Sequence, residues 1–212
     1  MSPSKNIDDL QAWLFQFASA GDFASLALIL SENSLSREQC SLVLACSAAN
    51  GRAQCVKLLI PLSDPTADES VALFEAARNG HADCVKLLIP VSDHTVYGAS
   101  AFYAAAENGH AECARLLTPS SRLRIADSRA LCEASILQGN PDVLAIMLAH
   151  DQRLLNGSIL NGQDLSVHLD SALGKGHAGL ASLLSSIIER QALSKTVPIA
   201  DIKRSLRLGA RL

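Results

Sequence analysis

Apolar positions in this chain come in short blocks at helical spacing, and the blocks repeat. V-A-L-F-E-A-A-R-N-G-H-A-D-C-V-K-L-L ends at Leu88, and A-F-Y-A-A-A-E-N-G-H-A-E-C-A-R-L-L ends at Leu117. A third version, S-A-A-N-G-R-A-Q-C-V-K-L-L, ends at Leu59, so the period is 29 residues. Each block holds one apolar helical stretch, an Asn-Gly turn and a second stretch closed by Leu-Leu. Self-similarity at a period of about 20–50 residues means stacked helical units that share one core. Gly21, Gly51, Gly80, Gly109, Gly139 and Gly176 mark the turns, at spacings of 30, 29, 29, 30 and 37. Glycine is expected there because the chain leaves the first helix through a left-handed conformation.

The pattern predicts an all-α solenoid of about six helix–turn–helix repeats. They run roughly over 8–35, 36–66, 67–95, 96–122, 123–152 and 163–190, one array over 1–190, with a basic tail at 191–212. Asn6 or Asp8 can cap the first helix, and Ser36-Arg37-Glu38-Gln39 has capping-box form. Pro61, Pro90 and Pro119 follow Leu-Leu and end the second helices. Asn140-Pro141 supplies an N-cap and a proline at the first helical position. Asp68-Glu69 and Asp8-Asp9 suit the positive ends of helix dipoles better than acid–base chemistry. Residues 150–165, with two Asn-Gly pairs, are an ordered loop or a small hairpin.

Composition refines this picture. Of 212 residues, 49% are apolar but only 4% aromatic, which suits thin, closely stacked helices. A net charge of −3 provides no overall basic field for nucleic acid. No apolar run reaches the ~18 residues of a membrane span. Ala18-Ser19-Ala20 has the look of a leader cleavage site, but Asp8, Asp9, Gln11 and Gln16 break the preceding stretch. An amphipathic first helix is the preferred reading over a secretion leader. Trp13 belongs to the core of the first repeat, with a ligand role as the alternative. Cys55, Cys84 and Cys113 occupy one place in successive repeats. Stacked helices lie ~8–10 Å apart, beyond disulfide reach, so the six cysteines are read as free thiols in a reducing compartment, most simply the cytoplasm. No zinc spacing, phosphate loop or nucleophile–base pair is present, so neither metal, cofactor nor catalysis is expected.

The A-A-x-x-G-H and Leu-Leu pattern resembles the ankyrin repeat, whose signature runs G-x-T-P-L-H-x-A-A-x-x-G-H. The match is strongest over Ser41–Leu117. That resemblance implies a non-catalytic scaffold for protein–protein interaction. It implies that first helices line a concave side, and that His81, His110 and His177 cap second helices and bond turn backbone. Repeats are about four residues shorter than the family's usual ~33, so the connecting fingers are expected as stubs with little or no strand. Phe74 and Tyr103 replace the histidine of T-P-L-H, as inter-repeat core or as groove aromatics.

A concave patch of Arg78, Asp93, His94, Tyr97, Tyr103 and Glu107 is the candidate partner site. The structural turn residues are Gly51, Gly80, His81, Gly109, His110, Gly139, Gly176 and His177. The expected partner is another protein of unidentified type, with no small-molecule substrate, nucleic acid or membrane, and the chain itself a monomer. Two alternatives stay open. One is a bacterial or parasite effector delivered into a host cell. The other is peripheral membrane or nucleic-acid binding through the tail, whose Lys195, Lys203, Arg204, Arg207 and Arg211 oppose only Asp201. The tail's Ile199, Ile202 and Leu206 also fit a capping helix.

Overall fold

The computed structural model describes residues 7–92, 98–118, 132, 135, 136, 139–150 and 162–196. Among these residues every regular element is helical and there is no strand. The chain forms two compact units, residues 1–123 and 124–212.

The first unit contains α1 (Ile7–Ala20), α2 (Phe23–Glu32), α3 (Arg37–Ala49), α4 (Ala53–Leu59), α5 (Ala67–Arg78), α6 (Ala82–Leu88), α7 (Gly98–Glu107) and α8 (Ala111–Leu117). Sequential helices pair, and like stacks on like: α1, α3, α5 and α7 form one row, α2, α4, α6 and α8 the other. The 29-residue period thereby becomes a core of identical layers. Leu59, Leu88 and Leu117 are all 0% exposed. Leu44, Leu73 and Phe102 share the equivalent place in the first helices and are also buried. Each such side chain contributes about 1.5–3 kcal/mol by leaving water. Cys55, Cys84 and Cys113 lie buried at one position of α4, α6 and α8, and all six cysteines are free thiols. Burial pushes the Cys84 and Cys113 thiols up to about 11, because thiolate is poorly solvated there.

Local signals in the sequence explain the helix ends. Ser36 Oγ accepts from Gln39 N at 3.1 Å, and Gln39 Oε1 accepts from Ser36 N at 2.9 Å, completing the capping box. Asp22 caps α2 by accepting from Ser25 N at 3.1 Å, and hydrogen bonding from the Ser25 side chain and then its backbone holds the carboxyl below the usual carboxylate range. Helix α1 begins at Ile7, so Asp8 lies inside it and is not its cap; Asn6 lies outside the described residues. Asn50, Asn79 and Asn108 each turn the side-chain amide back to the carbonyl four residues earlier, at 2.8 Å in all three cases. One residue type thus closes three first helices in one geometry.

The connection after α4 is a stub. A 3-10 turn spans Ile60–Leu62, with Pro61 within it. Asp64 Oδ1 then accepts from Thr66 N and Oγ1 at 3.0 and 2.6 Å. Ser41, buried in α3, accepts from Asp64 N at 2.9 Å and donates to Arg37 O at 2.9 Å, pinning the stub to the preceding repeat. The start of α5 differs from expectation. Asp68, Glu69 and Ser70 have φ of 46, 60 and 61°, a left-handed turn of three non-glycine residues. The acidic pair therefore does not sit in a regular right-handed first turn; the regular helix starts at Val71. After α6 the chain turns at Pro90, with Val91 N and Ser92 N donating to Leu88 O at 3.1 and 2.9 Å, while residues 93–97 and Pro119 lie outside the described residues.

The second unit contains α9 (Pro141–His150), α10 (Gly162–Gly174) and α11 (Ala178–Thr196). Pro141 takes the first helical position as expected. Helices α10 and α11 pack as a pair, with α9 against α11. Their core is built from Val143, Leu144, Met147, Leu165, Ala172, Leu180, Leu184 and Ile187. Helix α11 continues past residue 190 to Thr196 and buries Gln191, so the regular structure extends six residues into the segment read as tail. Residues 151–161 lie outside the described residues, as do most of 119–138.

One other expectation changes. Trp13 is 44% exposed, edge-on to Phe17 at 6.2 Å, while Leu14 and Ala18 fill the core of the first repeat. Leu14 and Ala18, four residues apart, share the inner face of α1, and Trp13, about 100° away around the helix, falls on the outer side. No described helix is long and apolar enough to cross a membrane.

Candidate functional site

All six turn glycines have positive φ, between 70 and 81°. The reason for glycine goes beyond φ. A Cβ on Gly51 would lie 2.5 Å from His81 Nδ1, one on Gly80 2.6 Å from His110 Nδ1, and one on Gly139 2.7 Å from His177 Cε1. The histidine of each repeat packs flat over the turn before it. His81 and His110 stand at the N-caps of α6 and α8 without a side-chain cap bond, so the capping role implied by the resemblance does not hold. His81 Nε2 instead lies 3.0 Å from Ala49 O at the end of α3. A carbonyl only accepts, so Nε2 carries the proton in this contact. Arg52 performs the same service at the first joint: its Nε donates to Ser19 O at 2.7 Å and its stem covers Gly21. The structural reading of Gly51, Gly80, His81, His110, Gly139 and His177 thus acquires a mechanism, a side chain bolting one repeat to the last.

On the row of first helices, α5 and α7 leave an open groove of about 280 Å³. Ala76, Ala77, Ala105 and Ala106 are buried and let the two helices approach. Phe74, Arg78, Ser100, Tyr103, Ala104, Glu107 and Asn108 line the space that remains. Phe74 and Tyr103 are half-buried, neither closed into the core nor free of it. Tyr103 is held edge-on by the fully buried Phe102, with centroids 6.1 Å apart. Arg78 is exposed and its guanidinium lies 3.7 Å from Glu75. An exposed pair of this kind is worth about 0–1 kcal/mol, so either charge can be drawn to a partner.

The structure therefore brings Arg78, Tyr103 and Glu107 together on one groove. Asp93, His94 and Tyr97 lie outside the described residues. Ser100 and Asn108 join the lining without having been candidates. Ser100 was discoverable: it lies three residues before Tyr103, on the same helical face. On the opposite row, Arg115 grips Glu112 at 2.7 and 2.9 Å and holds its carboxyl below the usual range, and Lys86 meets Asp83 at 3.4 Å. Those charges satisfy one another within single helices. Among the described residues no group of His, Cys, Asp and Glu is arranged to hold a metal ion.

Paired helices, left-handed glycine turns and rigid layers define a helical repeat protein. The family described as ankyrin repeats (3 copies) matches at residues 14–97, 42–127 and 73–161. These matches cover more than half of the chain, which belongs to the ankyrin-repeat family. Ankyrin repeats generally mediate protein–protein interaction. No curated protein matches the chain.

Proposed function

We propose that the chain is a non-catalytic binding module of about six repeats that takes a partner protein into the α5–α7 groove. The groove lies on the side that the family presents as concave, and the partner-binding set is Arg78, Tyr103 and Glu107, with Asp93, His94 and Tyr97 as its continuation. The observation that supports this best is the groove's lining. Two half-buried aromatics form an apolar floor, and an exposed cation and an exposed anion stand at its edge. Tyr and Arg are the residue types that most often carry interface energy. The fitting ligand is a peptide segment with one apolar side chain between an acidic and a basic residue. The module acts as a monomer in the cytoplasm, where buried free thiols persist.

The test is affinity capture from the native cell with three baits: wild type, Arg78→Ala/Glu107→Ala, and Lys86→Ala/Arg115→Ala. Proteins that bind in the groove are lost from the first variant and retained by the second, while all three baits show the same thermal unfolding. Equal recovery of every captured protein by all three would exclude the groove.

A further inference from the structure

The ladder of side chains over glycines stops in the second unit. Gly139 is covered by His177, yet a Cβ on Gly176 would meet nothing within 4 Å, although its φ is 75° like the others. The helix before that turn is open in the same direction. Aligning α3 and α10 on their turn glycines sets Ser166 opposite Ser41 and Leu173 opposite Ala48. Ser41 is 8% exposed and Ala48 0%, because the next repeat lies on them. Ala77 and Ala106 fill the same place in α5 and α7, and both are buried. In α10, Ser166 is exposed and Leu173 is 60% exposed. The stacking face that carries Leu173 is thus exposed in the second unit.

We propose that residues 197–212 of this same chain are the cover of that face. The segment follows α11 directly, so its attachment to α10 is intramolecular, with an effective concentration in the millimolar range. As a helix it would reach about 24 Å, against about 20 Å for the 13 residues of α10. Ile199, Ile202 and Leu206 share one side of such a helix, matching the apolar demand of Leu173. Lys203, four residues after Ile199, would border that side and is opposite in sign to the exposed Asp170 of α10, while Arg204 and Arg207 would lie away from it. Arg52 shows that an arginine serves as well as a histidine over a left-handed glycine turn. Arg204 and Arg207 are then the solvent side of an end cap, and not a separate binding arm.

The test compares full chains and one truncation by hydrogen exchange and thermal unfolding. Ending the chain at Thr196 should raise amide exchange in α10 and lower the melting temperature by about 3 °C or more. Ile202→Glu/Leu206→Glu in the full chain should reproduce both changes, as should Leu173→Glu. Combining Leu173→Glu with the truncation should add nothing further, since both remove one contact. The proposal fails if truncation leaves α10 exchange unaltered, or if the two effects add. It also fails if Leu173→Glu turns a dimer into a monomer, because the cover is then a second copy. Each of these outcomes is independent of the α5–α7 groove.

Discussion

Replacing Gly80 by alanine separates the two reasons for glycine at a repeat joint. The first is backbone: φ at Gly80 is 77°, where an L side chain costs about 1–2 kcal/mol. The second is the neighbour. The new Cβ would stand 2.6, 2.7 and 2.9 Å from Nδ1, Cε1 and Cγ of His110. Ordinary carbon contacts begin near 3.5 Å, so the ring must move by nearly 1 Å. Its place between two repeats leaves little room, and forced repacking of this kind costs about 1–3 kcal/mol. Gly80→Ala should therefore destabilise the chain by about 2–5 kcal/mol. In a His110→Ala background only the backbone part remains, about 1–2 kcal/mol. The assay is urea unfolding of all four members of the cycle, followed by far-ultraviolet circular dichroism. A coupling of about 1–3 kcal/mol is expected. Equal costs of Gly80→Ala in both backgrounds would show that the histidine does not lie on the turn.

Three further outcomes are expected. Ser41→Ala removes the acceptor of Asp64 N and should lower stability by about 1–2 kcal/mol, read from the urea midpoint; no change would mean that water replaces the hydroxyl. Glu69→Gly gives a sign test of the left-handed turn at Asp68–Ser70. At a φ of 60° glycine relieves strain, so stability should rise by up to about 1 kcal/mol, whereas a loss of about 1 kcal/mol would reveal a right-handed helix. The third concerns pH. Burial raises Cys84 and Cys113 from 9.0 to about 11, so the folded state holds these protons more tightly than the unfolded chain. Their stabilisation is complete below about pH 9 and is lost as pH rises towards 11. Cys84→Val/Cys113→Val should flatten that alkaline limb of unfolding free energy against pH, and an unaltered limb would assign it to other groups.

Much of the fold was legible because one period imposes one geometry on every copy. The glycines announced left-handed turns, the Leu-Leu pairs a buried row, and the cysteine column a line of thiols too widely spaced to bond. What escaped was the set of contacts that cross the period. Nothing within a single repeat says that His81 reaches back to Ala49, since that bond joins residues 32 apart. Ser41 and Asp64, 23 residues apart, lie within one repeat, yet nothing in their spacing signals that the hydroxyl of α3 reaches the stub. Trp13 was misplaced because hydrophobicity alone cannot tell an inner from an outer face of α1. The left-handed turn at Asp68–Ser70 carries no glycine or asparagine to signal it.

The candidate groove was legible by a different route, comparison of the repeats with one another. Positions that keep their identity through the copies ending at Leu59, Leu88 and Leu117 are those the stack constrains: the Asn that closes the first helix, the turn glycine, the buried Cys, the final Leu. A residue needed for packing must recur, since every layer meets the same neighbours. Function has no such translational symmetry. Sites that change and are not fully buried, unlike the Leu44, Leu73 and Phe102 position, are the ones packing leaves free. Ala49, Arg78 and Glu107 occupy one position, and Ala45, Phe74 and Tyr103 another. The later two members of both sets line the α5–α7 groove. The copy that carries alanine at both positions provides neither charge nor aromatic ring. On the proposed function, recognition is concentrated where α5 meets α7, and exchanging Arg78 and Glu107 for alanine should abolish partner capture without loosening the stack.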